Sequence, residues 1–238
     1  MRAQIESLKF SRLSFSHEDM IPLFTDTNVE FPMNSINWIR ADIGRGKSTL
    51  LKILAGIINP QAGSYYINNE NVSEMSFEEF SPYRLAIGYA FDMGGLINNR
   101  SIYENLMLPL LYHKILPHPE AKQKVSEFLD YFRLTELRDN RPATVSGGIR
   151  KIVCVARSML LNPQVLLLDD PTIGLNHETV LKLIQKIKSM RDDGFLNHVF
   201  ICTSDKTFMS HFDYKLVTIE NEKIKTDTSS LFNQVVHL

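Results

Sequence analysis

Nine consecutive residues, Ala41-Asp42-Ile43-Gly44-Arg45-Gly46-Lys47-Ser48-Thr49, place two glycines, an ammonium and two hydroxyls just ahead of an apolar run. Glycines let the backbone bend until successive N–H groups and the first turn of the following helix converge on one spot, an arrangement that suits phosphate oxygens. Lys47 adds a point charge and Ser48 a hydroxyl able to ligate magnesium, which makes this a phosphate-binding loop. The pattern G-x-x-x-x-G-K-[ST] begins on glycine, whereas this chain has Ala41. If the backbone needs a positive φ there, a Cβ costs of order 1 kcal/mol, so the sequence predicts a strained loop. In isolation, a glycine-rich helix cap is the alternative reading.

Two further segments carry polar groups into apolar surroundings. In Leu166-Leu167-Leu168-Asp169-Asp170-Pro171-Thr172, carboxylates end a run that reads as a buried strand. Asp169 is the expected partner of a magnesium ion held at Ser48, directly or through water. In Val145-Ser146-Gly147-Gly148, Ser146 can cap a helix carrying Ile152, Val153, Val155, Ala156 and Met159, giving a second anion-binding helix end.

The remaining pattern supplies elements to position these groups. Apolar runs from Leu85 (LAIGYAF), Val165 (VLLLDD) and Val199 (VFICTS) are continuous, as in strands buried on both faces. Helical spacing follows Gly46, through Leu50, Leu51, Ile53, Leu54, Ile57 and Ile58, and is expected to end near Asn59-Pro60. It recurs after Asn176, through Val180, Leu183, Ile184, Ile187 and Met190. Alternating strands and helices predict an α/β domain with parallel strands and functional loops at their carboxyl ends. From Met93 to Thr144 the pattern is helical, with Val125, Phe128, Leu129 and Phe132 on one face, and reads as an insertion. Asn37 and Arg40, inside the apparent strand leading to the glycine loop, contradict its expected apolar character.

Composition narrows the classes. Lys and Arg number 26 against 27 Asp and Glu, a net charge of −1, which provides no basic excess for a nucleic-acid backbone, so no nucleic-acid partner is expected. No run approaches the roughly 18 apolar residues of a membrane span. Cys154 and Cys202 lie in apolar runs and are expected to be buried thiols of a reducing, cytoplasmic compartment.

Glycine loop, Ser-Gly-Gly helix and Asp-Asp-Pro-Thr strand, in that order, resemble the ATP-binding cassette (ABC) ATPase family over nearly the whole chain. The resemblance implies a P-loop RecA-like core with a parallel sheet, an inserted α-helical subdomain and an N-terminal β region. Residues 1–238 would form a single ATP-binding domain, the core covering about 1–92 and 157–238 and the helical subdomain about 93–156. It further implies ATP and magnesium as cofactors, with nucleotide held by residues Ala41 to Thr49 and metal by Ser48 and Asp169. Two cassettes would close head to tail, with Ser146, Gly147 and Gly148 completing the partner's ATP site. A separate transmembrane permease would hold the chain at the inner face of the membrane.

Carried over position by position, the resemblance also exposes departures. His17 stands where a tyrosine usually stacks on adenine, and Ile149 replaces the glutamine after the Ser-Gly-Gly segment. Asp170 replaces the glutamate that polarises the attacking water; one methylene fewer withdraws the carboxylate by roughly 1.5 Å, and misplacement of about 1 Å can cost a hundredfold in rate. Asp92 replaces a glutamine that senses magnesium and the γ-phosphate. Its charge repels a phosphate at 4 Å by about 4 kcal/mol at an effective dielectric constant near 20, which magnesium is expected to screen. Ser204 replaces a histidine that reaches the γ-phosphate, and Asn176 an aspartate of the loop between sites.

The expectation is therefore a transporter's nucleotide-binding subunit that binds Mg-ATP but hydrolyses it weakly at its own site, as a homodimer or beside an intact cassette. An ATP-dependent switch protein that moves no solute is the alternative. The membrane subunit would seat a helix near Ile102, Leu106, Leu108, Leu110 and Leu111. Gly94-Gly95-Leu96 through Tyr103-Glu104-Asn105 to Pro109-Leu110 loosely resembles cassettes of bacterial lipid-transport and lipoprotein-release systems, including the MCE type, and suggests a lipid or lipoprotein cargo.

Overall fold

The computed structural model describes residues 3–17, 21–92 and 95–231, with side chains as far as 227; Met93 and Gly94, at the head of the helical segment, lie outside the described residues. The chain builds two sheets. Strands β1 (Leu8–Phe15), β2 (Phe24–Glu30), β4 (Ala62–Ile67) and β5 (Glu70–Asn71) form an antiparallel sheet in the order β2-β1-β4-β5. The second contains β3 (Ile36–Arg40), β6 (Ile87–Ala90), β7 (Val165–Asp169), β8 (His198–Cys202), β9 (Tyr214–Glu220) and β10 (Lys223–Leu231), in the order β10-β9-β3-β8-β7-β6. All its pairings are parallel except that of β10 with β9.

Alternation along the parallel strands builds two cores. Val165 and Leu167 of β7 join Ile39, Phe200 and Cys202 against the antiparallel sheet and helix α1 (Lys47–Leu54). Leu166 and Leu168 join Trp38, Val199 and Ile201 on the other face. That face is covered by α3 (Ile102–Tyr112), α4 (His118–Tyr131), α5 (Gly147–Met159) and α6 (His177–Asp192). Continuous apolar runs are the sequence form of strands covered on both sides, and the helices keep the polar loops for the strand ends. Helix α7 (Lys206–Met209) is a single turn after β8. Cys154 and Cys202 are buried and form no disulfide.

Three local expectations are corrected. The run from Leu85 begins as helix: α2 (Phe77–Ala86), opened by a capping box between Ser76 and Glu79, continues through Ala86, and only Ile87–Ala90 is strand. Phe80, Tyr83 and Ala86 recur every third residue into one core, and that helical repeat outweighs the apolar run. Helix α1 stops at Leu54 rather than near Pro60. Gly56 N–H bonds to the Ile53 carbonyl and Ile57 N–H to that of Lys52, the paired bonds of a Schellman termination. Of the apolar residues assigned to a groove on α3, Ile102, Leu106 and Leu110 are fully buried core, and Leu111 is exposed.

The polar residues of β3 now have a physical account. Asn37 is fully buried but satisfied: its amide donates to the Pro32 carbonyl at 3.0 Å and accepts from the Ser35 hydroxyl at 3.3 Å. Arg40, at the exposed strand end, lays its guanidinium over the Trp38 ring at 5.1 Å.

His198 opens β8 inside the protein, only 2 % exposed. Its Nδ1 accepts the Asn34 N–H at 2.7 Å and its Nε2 donates to the Ile5 carbonyl at 3.0 Å, an arrangement that requires the neutral ring. Burial, reinforced by the nearby Arg191 charge, lowers its pKa despite the Ile5 bond. The unfolded chain therefore binds the proton more readily, and stability falls as pH drops below the ordinary histidine pKa of about 6.5, by up to about 1.4 kcal/mol per unit. Urea unfolding at pH 7.5 and 5.5 should show this loss, and H198Q should flatten the pH dependence while costing stability at pH 7.5.

Candidate functional site

Strand β3 delivers the chain to its carboxyl end, and residues 41–46 turn there into α1. Gly44 and Gly46 have φ of +78° and +89°. At Gly46 a Cβ would also come within 3.0 Å of the Phe24 ring, so this position has both a conformational and a steric reason to be glycine. Ala41 is not among the positive-φ residues, which corrects the expected strain: the left-handed turns fall on 44 and 46. Lys47 Nζ lies 2.9 Å from the Ala41 carbonyl and 3.1 Å from that of Asp42, so its stem bridges the loop it serves.

Two cavities flank Lys47. One, of about 430 Å³, is lined by His17, Gly44, Gly46, Ser48, Thr49 and Asp170. His17 stands at 3.4 Å from the Thr49 hydroxyl and edge-on to Phe15, at the wall where the sequence places a ring for a base. Ile43 at the loop's tip is 98 % exposed. The second, of about 470 Å³, runs beside β9 and is lined by Arg40, Asp42, Lys47, Thr203, Ser204 and Lys206.

The ends of β7 and β8 bring the acids to the loop. Asp169 is 3 % exposed at the end of β7. Burial raises its pKa, with Asp92 and Asp170 adding to the rise and the Ser48 hydroxyl and Lys151 opposing it. A hydroxyl and a buried carboxylate on neighbouring elements supply the oxygen donors that suit magnesium. Among the described residues no cluster of three or more His, Cys, Asp or Glu could hold a metal unaided, so further oxygens would come from phosphate and water. Asp170 follows in left-handed backbone at φ +45°, its N–H bonded to the Cys202 carbonyl. Burial and Asp92 raise its pKa, while Lys47 and Lys151 oppose the shift.

Asp92, at the end of β6, is not an unscreened charge. The ammonium of Lys151 reaches its carboxylate at 3.1 Å and also contacts the carbonyls of Phe91, Asp92 and Asp169. The expected reliance on magnesium alone is corrected by this internal cation. Lys151 is a site residue that the motifs do not announce. It sits beside Ile152 and Val153, with Cys154 and Val155 three and four residues on, all buried; a lysine on that face must point inward.

Ser146, Gly147 and Gly148 stand apart and line neither cavity beside Lys47. The Ser146 hydroxyl accepts from the Ile149 N–H at 3.3 Å and caps α5. Ser146 and Gly147 are exposed, whereas a Cβ on Gly148 would lie 2.1 Å from the Gly174 carbonyl. Gly148 is thus fixed by a backbone crossing, and Ser146 and Gly147 are the open end of the segment.

A phosphate loop, a buried carboxylate at the end of strand β7 and a separate exposed Ser-Gly-Gly helix end therefore occur on one sheet edge and one helix. A family model described as ABC transporter matches residues 24–173. The chain belongs to the ABC transporter family of ATP-binding cassettes. It is 35 % identical over 183 residues to the ABC transporter ATP-binding protein YtrE of Bacillus subtilis (strain 168), covering 75 % of this chain and 79 % of that one. A putative ABC transporter ATP-binding protein of Methanosarcina acetivorans is 31 % identical, over 90 % of this chain and 80 % of its own. The methionine import ATP-binding protein MetN of Rhodopseudomonas palustris is 30 % identical over 85 % of this chain, which spans 54 % of that relative's length. The dimeric bacterial cassette MJ0796 superposes with a TM-score of 0.84, over 95 % of this chain and 99 % of that one, at 24 % identity.

As an ABC cassette the chain binds ATP with magnesium, which when bound supplies a Lewis acid for the phosphates. Ser48 and Asp169 would hold the metal, and Lys47, Gly44 and Gly46 would present charge and N–H groups to the phosphates. G148A should destabilise the fold by about 1–3 kcal/mol through its clash with Gly174, whereas G147A, whose Cβ would meet only the Arg150 guanidinium at 3.9 Å, should stay within about 0.5 kcal/mol. Thermal unfolding of both variants checks the assignment.

Proposed function

We propose that this cassette is the nucleotide-binding subunit of a transporter, that it holds Mg-ATP at a slow site of its own, and that Ser146 and Gly147 complete the site of a second cassette. The reading rests on Asp170. Its carboxylate is one methylene shorter than a glutamate's and is carried on left-handed backbone at φ +45°, which sets it back from a water at the γ-phosphate. Ser204 brings a short neutral hydroxyl to the second cavity and offers little to the developing phosphate charge. Both losses fall on hydrolysis and spare the loop that binds.

The separate membrane subunit would seat a helix against Arg84, Ile87, Tyr89, Leu108, Pro109 and Tyr112, which line a groove of about 330 Å³. Tyr112 is 72 % exposed at its mouth. No described helix is long and apolar enough to cross a membrane, so the transport path is assigned to that subunit. The likeness to MetN favours an amino-acid cargo, whereas a lipid cargo rests on segment 94–110 alone.

Purified alone, the protein should bind Mg-ATP but turn it over slowly, and D170E should raise turnover at least about tenfold, because restoring the methylene restores reach. Turnover unchanged by D170E would sink the slow-site assignment. Pulldown from solubilised membranes should bring a multispan subunit; recovery with a soluble regulator and no membrane protein would favour an ATP-dependent switch.

A further inference from the structure

We propose that Lys151 is a positioning residue of the nucleotide site: it neutralises Asp92 from inside the protein and thereby makes Mg-ATP affinity depend on the Ser-Gly-Gly helix α5. The proposal rests on the nucleotide-binding reading above.

Three carboxylates, Asp92, Asp169 and Asp170, share the strand ends where phosphate must come, and Asp92 raises the pKa of both others. Mutual repulsion of this kind grows when a polyphosphate is added. Lys47 already donates to the Ala41 and Asp42 carbonyls of the glycine loop. Lys151 is the other ammonium that opposes the Asp170 shift, and it opposes that of Asp169 as well. Its side chain is 5 % exposed, against 41 % for Asp92, so the pair is covered on the lysine side and open on the side of the carboxylate.

An ammonium has three hydrogens, and Lys151 already faces four acceptors: the carbonyls of Phe91, Asp92 and Asp169 and the Asp92 carboxylate. It has none left for a phosphate, so it acts through Asp92. The same contacts join the ends of β6 and β7 to a helix whose first turn is exposed. Lys151 lies five residues beyond Ser146, about 7.5 Å along the axis. Six residues further on, Arg157 donates to the Gly95 carbonyl and to Asn105 Oδ1, the latter at 3.4 Å. Asn105 is itself fully buried and bonded to the carbonyls of Ile97, Arg100 and Ser101. Helix α5 therefore grips the chain at Phe91 and Asp92 and again at Gly95. A shift of the helix that loosens Lys151 leaves Asp92 uncompensated beside the phosphates, and a shift that tightens it prepares the site.

The test is a double-mutant cycle with K151M, D92N and K151M/D92N, read by Mg-ATP titration of the full chain and by thermal unfolding without nucleotide. K151M should weaken Mg-ATP binding by about tenfold or more, the size expected when a covered charge loses its partner. In the D92N background the same substitution should cost less than about threefold, since no charge is left to neutralise. The unfolding temperature of K151M/D92N should stay below that of D92N, because the three backbone carbonyls remain unpaired; affinity recovers while stability does not. If K151M fails to fold, K151Q, whose amide still donates to those carbonyls, takes its place in both backgrounds. Equal fold-losses of affinity in the wild-type and D92N backgrounds would overturn the proposal alone, whereas a wild-type chain that binds no Mg-ATP would overturn the nucleotide-binding reading with it.

Discussion

Parallel strands buried on both faces leave the chain little freedom about where its polar chemistry goes. Every side chain along β7 and β8 is covered, so a carboxylate or hydroxyl without an internal partner is tolerable only where a strand ends. Because β3, β6, β7, β8 and β9 run the same way, those ends share one edge, and the loop from Ala41, the acids 92, 169 and 170, and Thr203 and Ser204 all emerge there. The two apolar cores make this edge rigid. Distances among the polar groups are set by strand spacing rather than by loop flexibility.

That rigidity has an electrostatic cost. Asp169 is almost fully buried, and burial disfavours its anion; the Ser48 hydroxyl and the Lys151 charge offset part of the penalty. Asp170 is partly relieved by Lys47, and Asp92 is paired with Lys151. The chain therefore brings in cations from two directions, Lys47 from the loop at one end of α1 and Lys151 from α5 on the opposite face of the sheet. A divalent ion and a polyphosphate enter a field already close to balanced.

What is legible in the sequence follows the same division. Segments whose chemistry is local, the glycine loop, the Ser146 cap and the runs beginning at Val165 and Val199, emerge as read. Long-range effects stay hidden. Asn37 looks misplaced because its partners, Pro32 and Ser35, lie in an irregular turn that no periodicity announces. Leu85 and Ala86 look like strand because the run is apolar, while the helical spacing from Phe80 depends on which core it meets. The strain expected at Ala41 falls instead on Gly44 and Gly46, whose backbone accepts it. Lys151 is legible in principle, as a cation on the buried face of an amphipathic helix, but nothing local says that its partner is a carboxylate 59 residues earlier.

The Ser-Gly-Gly end of α5 and the glycine loop obey opposite requirements, and this explains how one helix serves both. The loop turns inward, with Gly44 and Gly46 in left-handed backbone and Gly46 packed against the Phe24 ring. Ser146 and Gly147 must stay outward, so the helix is held from behind: Gly148 against the Gly174 carbonyl, Lys151 under Asp92, Arg157 under Gly95. Each of these contacts touches a loop that follows a strand, β6 or β7, whose end also belongs to the chain's own site. The exposed end of α5 is thus joined by direct contacts to the strand ends that carry Asp92 and Asp169. On the proposal above, a partner that presses on α5 would act on Asp92 and Asp169 through the two 3.1 Å hydrogen bonds of Lys151.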